Sequence, residues 1–486
     1  MGSISSDFPS SHVVFFPFMA KGHTIPLLHL VRLLRRRFRR LSVTIFATAA
    51  HRPFISQFLS DTSVSIIELS FPQDIPGLPA GVESTETLPS LSLFPEFCMA
   101  TKLMQPDFEK ELQALPPVNF LVSDGFLWWT LESASKFGIP RISFSGLSNF
   151  VGAISVAVMK DRLLAGVESD DELITVSSFP WVKVTRSDWD PVFLPEADPT
   201  SLHSRFLMAS IQATINSYGS IVNSFYELEQ VFCDYMKHGG ARPKAWNLGP
   251  LCLAQTPKEA PHNKPTWLEW LDQKRSQGKP VLYVAFGSQA DISAQQLNEI
   301  AIGLEESGVS FLWAKKGRES EVEEGFEERV KERGMVAREW VDQWEVLRHE
   351  SVKGFLSHCG WNSVVESVSC GVPILAWPIM ADQALNARMV VEELKAGLRA
   401  VERCGGSVKG FVEGKELQRL VRELMEGEKG KEVRKKAAEI SEMAKKAMEE
   451  DGSSWRNLEE LVQQMCNRQG QKNLQGTTGE GNTFNY

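Results

Sequence analysis

The feature that most constrains the fold is a strand–turn–helix pattern centred on residue 358. Residues 352–357 read VKGFLS, an apolar run typical of a short buried strand. The turn HCGWNS follows at 358–363, and residues 364–369 favour a helix. Asn362 and Ser363 are residue types found where helices begin. A helix that begins after a strand and a tight turn exposes unpaired N–H groups, so this segment predicts an anion-binding site in an α/β protein.

Polar and aromatic side chains surround this turn in an order that suits a nucleotide sugar. They are Trp340, Gln343, His358, Glu366, Asp382 and Gln383. A flat indole ring suits a base, and the helix end, with a donor from the histidine, suits a diphosphate. The carboxylates and the amide suit sugar hydroxyls. The segment therefore indicates a ligand made of base, ribose, diphosphate and hexose.

The segment Trp340–Gln383 resembles the signature box of plant family 1 UDP-glycosyltransferases. HCGWNS, the ESV at 366–368, the GVP at 371–373 and the closing acidic–Gln pair stand at the spacing of that family. One departure is Asp342, where the family usually has a proline that shapes the loop. The donor-binding residues that the resemblance implies are Ser288, Trp340, Val341, Gln343, His358, Trp361, Asn362, Ser363, Glu366, Asp382 and Gln383.

Two further residues follow predicted strands in the N-terminal part of the chain. His23 lies in the predicted loop 19–25, between an apolar strand and a helix predicted to begin at Pro26, and Asp124 ends the run FLVSD. Ligands bind at the carboxyl ends of strands in open α/β sheets, so both side chains should enter one crevice. The resemblance implies that His23 is the catalytic base and Asp124 its partner. Asp124 could instead simply cap the next helix.

Alternating strands and helices predict an α/β fold, and the resemblance implies two Rossmann-like doubly wound domains facing a cleft, the GT-B architecture. We expect five segments: an acceptor-binding domain at 1–250, a linker at 251–265, a UDP-sugar-binding domain at 266–452, a helix at 453–467 that packs back on the first domain, and a disordered tail at 468–486.

Composition narrows the class of protein. A net charge of −9 and a pI near 5.7 argue against nucleic acid as a partner. The seven cysteines are an odd number without a CxxC pair, which favours reduced thiols in a cytosolic protein. No apolar run is long enough for stable membrane insertion. We therefore expect a cytoplasmic protein, and we expect it to be a monomer. The resemblance implies that it binds a UDP-sugar and a small hydrophobic acceptor.

The resemblance implies a metal-independent, inverting transfer of glucose from UDP-glucose to a hydroxyl of a small phenolic or flavonoid-like plant metabolite, giving a β-glucoside. No cofactor or metal site is expected. Three alternatives stay open: C-glycosylation of a phenolic acceptor, a nucleotide-sugar sensor without activity, and metal-dependent transfer through Asp188-Trp189-Asp190.

The acceptor pocket should be walled by the irregular segments 80–100 and 165–205, whose aromatic content suits a flat apolar molecule. Individual aromatic residues such as Phe94, Phe97 and Phe150 could equally belong to the core.

Overall fold

Two parallel β-sheets organise the part of the chain that the structure describes. The computed structural model covers residues 11–238, 243–255, 264–287, 289–290, 292–315, 322, 324–401 and 411–476, with side chains described to residue 467. We call the residues up to 255 the first half of the chain and the residues from 264 onward the second half. Each half contributes one sheet built from strand–helix units.

The first half forms a parallel sheet of seven strands and a separate two-stranded hairpin. Its strands are β1 (Ser11–Phe16), β2 (Leu41–Thr48), β3 (Ser65–Leu69), β4 (Phe120–Asp124), β5 (Arg141–Ser145), the hairpin strands β6 (Ile174–Val176) and β7 (Phe179–Val184), β8 (Gly219–Val222) and β9 (Lys244–Asn247). Its helices are α1 (Lys21–Arg37), α2 (Arg52–Phe58), α3 (Phe94–Ala100), α4 (Gln105–Ala114), α5 (Thr130–Lys136), α6 (Asn149–Lys160), α7 (Leu202–Ile215) and α8 (Tyr226–His238). The spatial order of the sheet is β3-β2-β1-β4-β5-β8-β9.

The second half forms a parallel sheet of six strands. They are β10 (Val281–Ala285), β11 (Ser310–Ala314), β12 (Gly334–Ala337), β13 (Val352–Ser357), β14 (Ile374–Ala376) and β15 (Gly397–Arg399), in the spatial order β12-β11-β10-β13-β14-β15. The helices are α9 (Thr266–Ser276), α10 (Ala294–Ser307), α11 (Phe326–Val330), α12 (Gln343–Arg348), α13 (Trp361–Ser369), α14 (Gln383–Arg388) with a π-helical turn at Met389–Glu393, α15 (Gly414–Glu426), α16 (Glu428–Met448) and α17 (Ser453–Gly476).

Both sheets reverse their strand order at an internal point, which is where doubly wound sheets bind ligands. In the first sheet this point lies between β1 and β4, where Phe16 pairs with Ser123. In the second it lies between β10 and β13, where Ala285 pairs with Ser357. The predicted pair of Rossmann-like doubly wound domains facing a cleft is therefore confirmed. The exact domain boundaries stay predictions.

The first helix begins earlier than the sequence predicted. We expected a loop at 19–25 and a helix from Pro26, whereas α1 begins at Lys21 and holds Pro26 inside it. Proline has no N–H, so it leaves the carbonyl of Gly22, four residues earlier, without its usual helical partner. That carbonyl accepts a hydrogen bond from the side-chain amide of Asn362 in the second half. The second half thus replaces the helical bond that Pro26 cannot make.

The last helix returns to the first half and is longer than predicted. Leu458, Leu461 and Met465 are buried in the same apolar cluster as Val13 of β1. The sequence predicted this helix at 453–467 and a disordered tail from 468, but α17 continues to Gly476. A helix that is already anchored by packing adds further turns at little cost, because nucleation is the unfavourable step. Residues 477–486 of the predicted tail lie outside the described residues.

Candidate active site

All of the predicted catalytic and donor-binding residues that the structure describes line one cleft between the carboxyl ends of the two sheets. The residues are His23, Asp124, Trp340, Val341, Gln343, His358, Trp361, Asn362, Ser363, Glu366, Asp382 and Gln383. Ser288 lies outside the described residues, although its neighbour Gly287 lines the same cleft.

His23 and Asp124 form a hydrogen-bonded pair at the switch point of the first sheet. His23 lies in the first turn of α1, and its Nδ1 is 2.8 Å from Oδ2 of Asp124 at the end of β4. The other carboxylate oxygen, Oδ1, accepts the main-chain N–H of Phe126 at 2.9 Å. The histidine side chain is 26% exposed and the aspartate 2%. With Nδ1 held by the carboxylate, Nε2 is the ring nitrogen available to a substrate.

Carboxylates set the proton affinity of His23. Burial lowers the pKa of His23, but the neighbouring Asp124, with smaller effects from Asp382 and Glu86, raises it, and the net pKa lies above the ordinary value. Glu86 also accepts the main-chain N–H of Lys21 at 2.7 Å, which satisfies an open donor at the start of α1. Glu86 was not predicted, because nothing in its local sequence marks it as a partner of the first helix.

His358 is enclosed by glycines at the switch point of the second sheet. A Cβ atom at Gly287 would lie 2.9 Å from its Nε2, and one at Gly360 would lie 2.6 Å away. Gly287 also has a φ of +82°, which favours glycine. Burial lowers the pKa of His358 to about 4, partly offset by a hydrogen bond to the main chain of Ala285. The ring is therefore neutral at neutral pH and brings no positive charge, and its single N–H can be donated either to the Ala285 carbonyl or to an anion, but not to both.

Three signature residues form a polar cluster one turn into α13. The Gln343 amide donates to Ser363 Oγ at 2.9 Å and to Glu366 Oε2 at 2.7 Å. Burial raises the pKa of Glu366 to about 7, and the hydrogen bond from Gln343 opposes that rise. Glu366 is therefore close to half-ionised at neutral pH.

The acidic–Gln pair that closes the signature, Asp382 and Gln383, lies on the side of the cleft that faces His23. Burial raises the pKa of Asp382 to about 6, while a hydrogen bond from Asn386 and the charge of His23 lower it. The carbonyl oxygen of Gln383 accepts the main-chain N–H groups of Ile379 and Met380 at 2.9 and 3.0 Å. These bonds fix the orientation of the Gln383 side chain, so its NH₂ group is the end left for a ligand.

Two predicted donor residues point their side chains at the first half of the chain. Trp361 is 3% exposed, and its indole N–H donates to the carbonyl of Asn223 at 3.0 Å. The Asn362 amide donates to Gly22, and its carbonyl accepts from Asn223 at 3.2 Å. At the start of α13 these residues offer a ligand main-chain N–H groups, while their side chains join the two halves.

The first two residues of the signature differ in exposure. Trp340 is 54% exposed, and the Lys21 ammonium lies 3.8 Å from the centre of its ring. Val341 is buried in the apolar cluster beneath it. Trp340 therefore presents an accessible ring in the cleft, while Val341 supports the loop.

Asp342 has a defined structural role in place of the usual proline. Its Oδ1 accepts the main-chain N–H of Glu345 at 3.2 Å, so it is the N-cap of α12. The sequence carries a signal for this cap, an aspartate followed three residues later by a glutamate. Asp342 was considered only as a replacement for the proline usual in the family, so its capping role was not predicted.

An aromatic wall adjoins His23. The rings of Phe18 and Phe126 lie 5.5 and 4.9 Å from the imidazole, centre to centre, and Phe94 packs against both. Of the three aromatics weighed from the sequence, Phe94 lines the cleft. Phe97 and Phe150 are fully buried core residues.

Asp188, the first aspartate of the Asp188-Trp189-Asp190 (Asp-x-Asp) pattern, forms a buried ion pair with Arg388. Its Oδ2 lies 2.6 Å from Nε of Arg388, and the side chains are 3% and 8% exposed. The same oxygen accepts the main-chain N–H of Thr185 at 2.6 Å. Within the described part of the chain, no group of three or more potential metal ligands is found.

Comparison with known proteins agrees with this geometry. Residues 254–412 match the family model described as UDP-glucoronosyl and UDP-glucosyl transferase. UDP-glycosyltransferase 90A1 of Arabidopsis thaliana is 55% identical over 94% of this chain and 96% of its own length.

Two solved structures share the architecture over nearly their whole length. The structure of Glycyrrhiza uralensis UGT73P12 with glycyrrhetinic acid 3-O-monoglucuronide has a TM-score of 0.85 at 29% identity and covers 97% of this chain and 98% of that one. The structure of Phytolacca americana UGT2 with UDP-2fluoro-glucose and pterostilbene has a TM-score of 0.77 at 30% identity, covering 94% and 99%. The chain belongs to the plant family 1 UDP-glycosyltransferases, GT-B enzymes that transfer a sugar from a UDP-sugar.

Proposed function

We propose that this enzyme transfers glucose from UDP-glucose to a hydroxyl of a small phenolic or flavonoid-like acceptor, with inversion and without a metal ion. One observation carries the proposal: the His23–Asp124 pair and the signature residues of the second half line the same cleft. Asp382 of the second half also raises the pKa of His23, which supports a site shared by the two sets of residues.

His23 acts as the general base in this reaction. Its Nε2 takes the proton of the acceptor hydroxyl as that oxygen attacks the anomeric carbon of glucose. The bond between that carbon and the UDP oxygen breaks, and its electron pair leaves with UDP. Asp124 stabilises the imidazolium that forms and fixes the tautomer with the proton on Nδ1. One displacement inverts the configuration, so an α-linked donor gives a β-glucoside.

The second half binds the donor. Trp340 stacks on the uracil, and the main-chain N–H groups at the start of α13 hold the diphosphate together with the neutral His358. Glu366, Asp382 and the NH₂ group of Gln383 receive the hexose hydroxyls. Ser288 is proposed as a further phosphate contact. The helix end and its hydrogen-bond donors stabilise the leaving diphosphate electrostatically.

The acceptor lies against the aromatic wall of Phe18, Phe94 and Phe126. Aromatic rings prefer edge-to-face and offset contacts with other rings, which suits a planar phenol. The Phytolacca americana structure is a complex with pterostilbene, which supports this class of molecule.

None of the described helices is long and apolar enough to cross a membrane. We propose a cytoplasmic monomer with no cofactor.

A panel of phenols and alcohols with UDP-glucose tests the proposal. We expect a mass gain of one hexose, an acid-labile O-glucoside and a β-anomeric proton signal in the NMR spectrum. UDP-galactose and UDP-glucuronate should be poor donors, because unpaired polar groups in a site that recognises hydroxyls strongly penalise the wrong sugar. An acid-stable product would indicate C-glycosylation, and equal use of all three donors would contradict the proposed donor specificity.

A further inference from the structure

A buried arginine lies directly behind the His23–Asp124 pair. Arg141 is the first residue of β5, the strand next to β4, and it is 1% exposed. Its hydrogen-bond acceptors are Ser123 Oγ (2.8 Å), Thr130 Oγ1 (2.9 Å), Ser217 Oγ (2.7 Å), the Ala213 carbonyl (3.4 Å) and the Asp124 carbonyl (3.1 Å). The guanidinium thus bonds to the main chain of the very residue whose carboxylate holds His23.

All of these acceptors are neutral, being either hydroxyls or main-chain carbonyls. Burying a charge without an opposite charge is costly, so a buried cation needs a compensating anion nearby. Burial lowers the pKa of Arg141 to about 10, and the charge of Asp124 opposes that effect. Arg141 therefore stays cationic at neutral pH, and the compensating negative charge is that of the Asp124 carboxylate.

His23 is surrounded by carboxylates whose negative charge favours its protonated form. The titratable groups around His23 are its partner Asp124 on β4, Glu86 in the 3₁₀ turn Thr85–Thr87 and Asp382 from the second half, and the buried Cys98 on α3 lies near Asp124. Three of them are carboxylates that raise the pKa of His23. A general base has to be unprotonated at the working pH, so a site with this many negative charges benefits from a buried positive one.

We propose that Arg141 is a positioning residue of the catalytic pair: it holds the main chain of Asp124, and its positive charge compensates the buried Asp124 carboxylate and opposes protonation of the pair. It does not touch the substrate. Its fork also joins β4, β5, α5 and α7, so loss of its side chain has a structural effect as well as an electrostatic one. The two effects are separated by comparing Arg141→Met, which removes the charge, with Arg141→Lys, which keeps it.

The kinetic test rests on the proposed function and uses an aliphatic alcohol as acceptor, because its hydroxyl does not titrate near neutral pH. Removing a nearby positive charge favours the protonated form of the pair, so the acid limb of kcat/KM should move to higher pH. We expect a shift of about 1 pH unit in Arg141→Met. At pH values on the acid limb, kcat/KM of Arg141→Met relative to wild type should then be about tenfold lower than on the plateau. Arg141→Lys should keep the limb near its wild-type position.

A stability test needs no turnover and so separates this inference from the proposed function. Melting temperatures are measured for wild type, Arg141→Met, Asp124→Asn and the double variant, without substrate. Arg141→Met alone strands a buried carboxylate, whereas in the Asp124→Asn background no charge is left unpaired. The fall in melting temperature caused by Arg141→Met should therefore be smaller in the Asp124→Asn background than in wild type, by at least about 2 °C. If Arg141→Met alone does not fold, adding Asp124→Asn should restore folding.

Equal losses of melting temperature in both backgrounds, or failure of Asp124→Asn to restore folding, would overturn the proposal. So would a uniform loss of activity at every pH in both Arg141→Met and Arg141→Lys, since a purely structural strap behaves in that way. Should wild type transfer no sugar at all, the proposed function is wrong, and the melting temperatures alone decide the role of Arg141.

Discussion

At the scale of single residues, the carboxylates of the cleft differ in the groups that surround them. Asp124 is hydrogen-bonded to a histidine and lies beside a buried cation. Glu366 and Asp382 are half-buried and accept hydrogen bonds from the amides of Gln343 and Asn386, and burial raises the pKa of Glu366 to about 7 and that of Asp382 to about 6. Similar side chains in one cleft are thereby suited to different tasks.

Glu366 gives a pH-dependent prediction for donor binding. Its raised pKa means that it is protonated below about pH 7 and ionised above it. An ionised carboxylate accepts hydrogen bonds from sugar hydroxyls more strongly. The affinity for UDP-glucose, measured by calorimetry, should therefore rise between pH 6 and 8. Glu366→Gln should bind more weakly at pH 8 and show little dependence on pH. An equal rise in both proteins would assign the titration to another group.

At the scale of elements, the site depends on how its helices begin. The first turn of α1 carries His23 and has no side-chain cap of its own, so Glu86 and Asn362 satisfy groups at its start from outside the helix. In contrast, α12 begins with its own cap, Asp342. That cap fixes the loop between Trp340 and Gln343.

The Asp342 cap should be measurable as stability. Asp342→Ala removes the acceptor for the Glu345 N–H and should cost about 1 kcal/mol. The melting temperature should then fall by about 2–4 °C. Asp342→Asn keeps an oxygen acceptor and should lose much less, which makes it the matched control. If the two variants lost the same stability, the hydrogen bond from Glu345 would have no energetic role.

At the scale of the whole molecule, the two halves are joined by polar contacts around the cleft. Asn362 reaches Gly22, the indole of Trp361 reaches Asn223, and Arg388 pairs with Asp188. The ion pair between Arg388 and Asp188 gives the first aspartate of the Asp-x-Asp pattern a stabilising role.

Asp188→Ala should therefore affect stability more than metal dependence. Removing one partner of a buried ion pair typically costs about 3–5 kcal/mol, because the other charge stays buried. The cost here should lie at the low end of that range, because Arg388 keeps an ion pair with Glu392 at 3.1 Å. Asp190→Ala, which removes a cap to the Val192 N–H at 3.0 Å and a partly exposed contact with His203 at 3.8 Å, is the matched control and should cost about 1 kcal/mol. Thermal melting compares the two variants. EDTA should leave wild-type activity unchanged; if EDTA abolished activity and Mn²⁺ restored it, the pattern would be a metal site.

The sequence predicted the parts of the fold that depend on local periodicity. The strand at 352–357 has the predicted bounds, because an apolar run and the turn residues that follow mark it. The start of α1 was misplaced because Pro26 looked like a first-turn residue. Its missing bond is replaced by Asn362, more than three hundred residues away. Arg141 gave no signal either, since its partners come from β4, α5, α7 and the turn that follows α7, and only the fold brings them together.

The proposed catalytic roles depend above all on His23, which is tested by comparing transfer and UDP binding in one set of variants. With a weakly acidic acceptor, His23→Ala should lose at least about 100-fold in turnover, the range expected for general-base catalysis. Asp124→Asn should retain more activity than His23→Ala, because the aspartate orients the base without taking the proton from the acceptor. UDP affinity by calorimetry should be nearly unchanged in both, since the proposed UDP-binding residues lie in the second half. Wild-type turnover by His23→Ala on such an acceptor would contradict the assignment of His23 as the base.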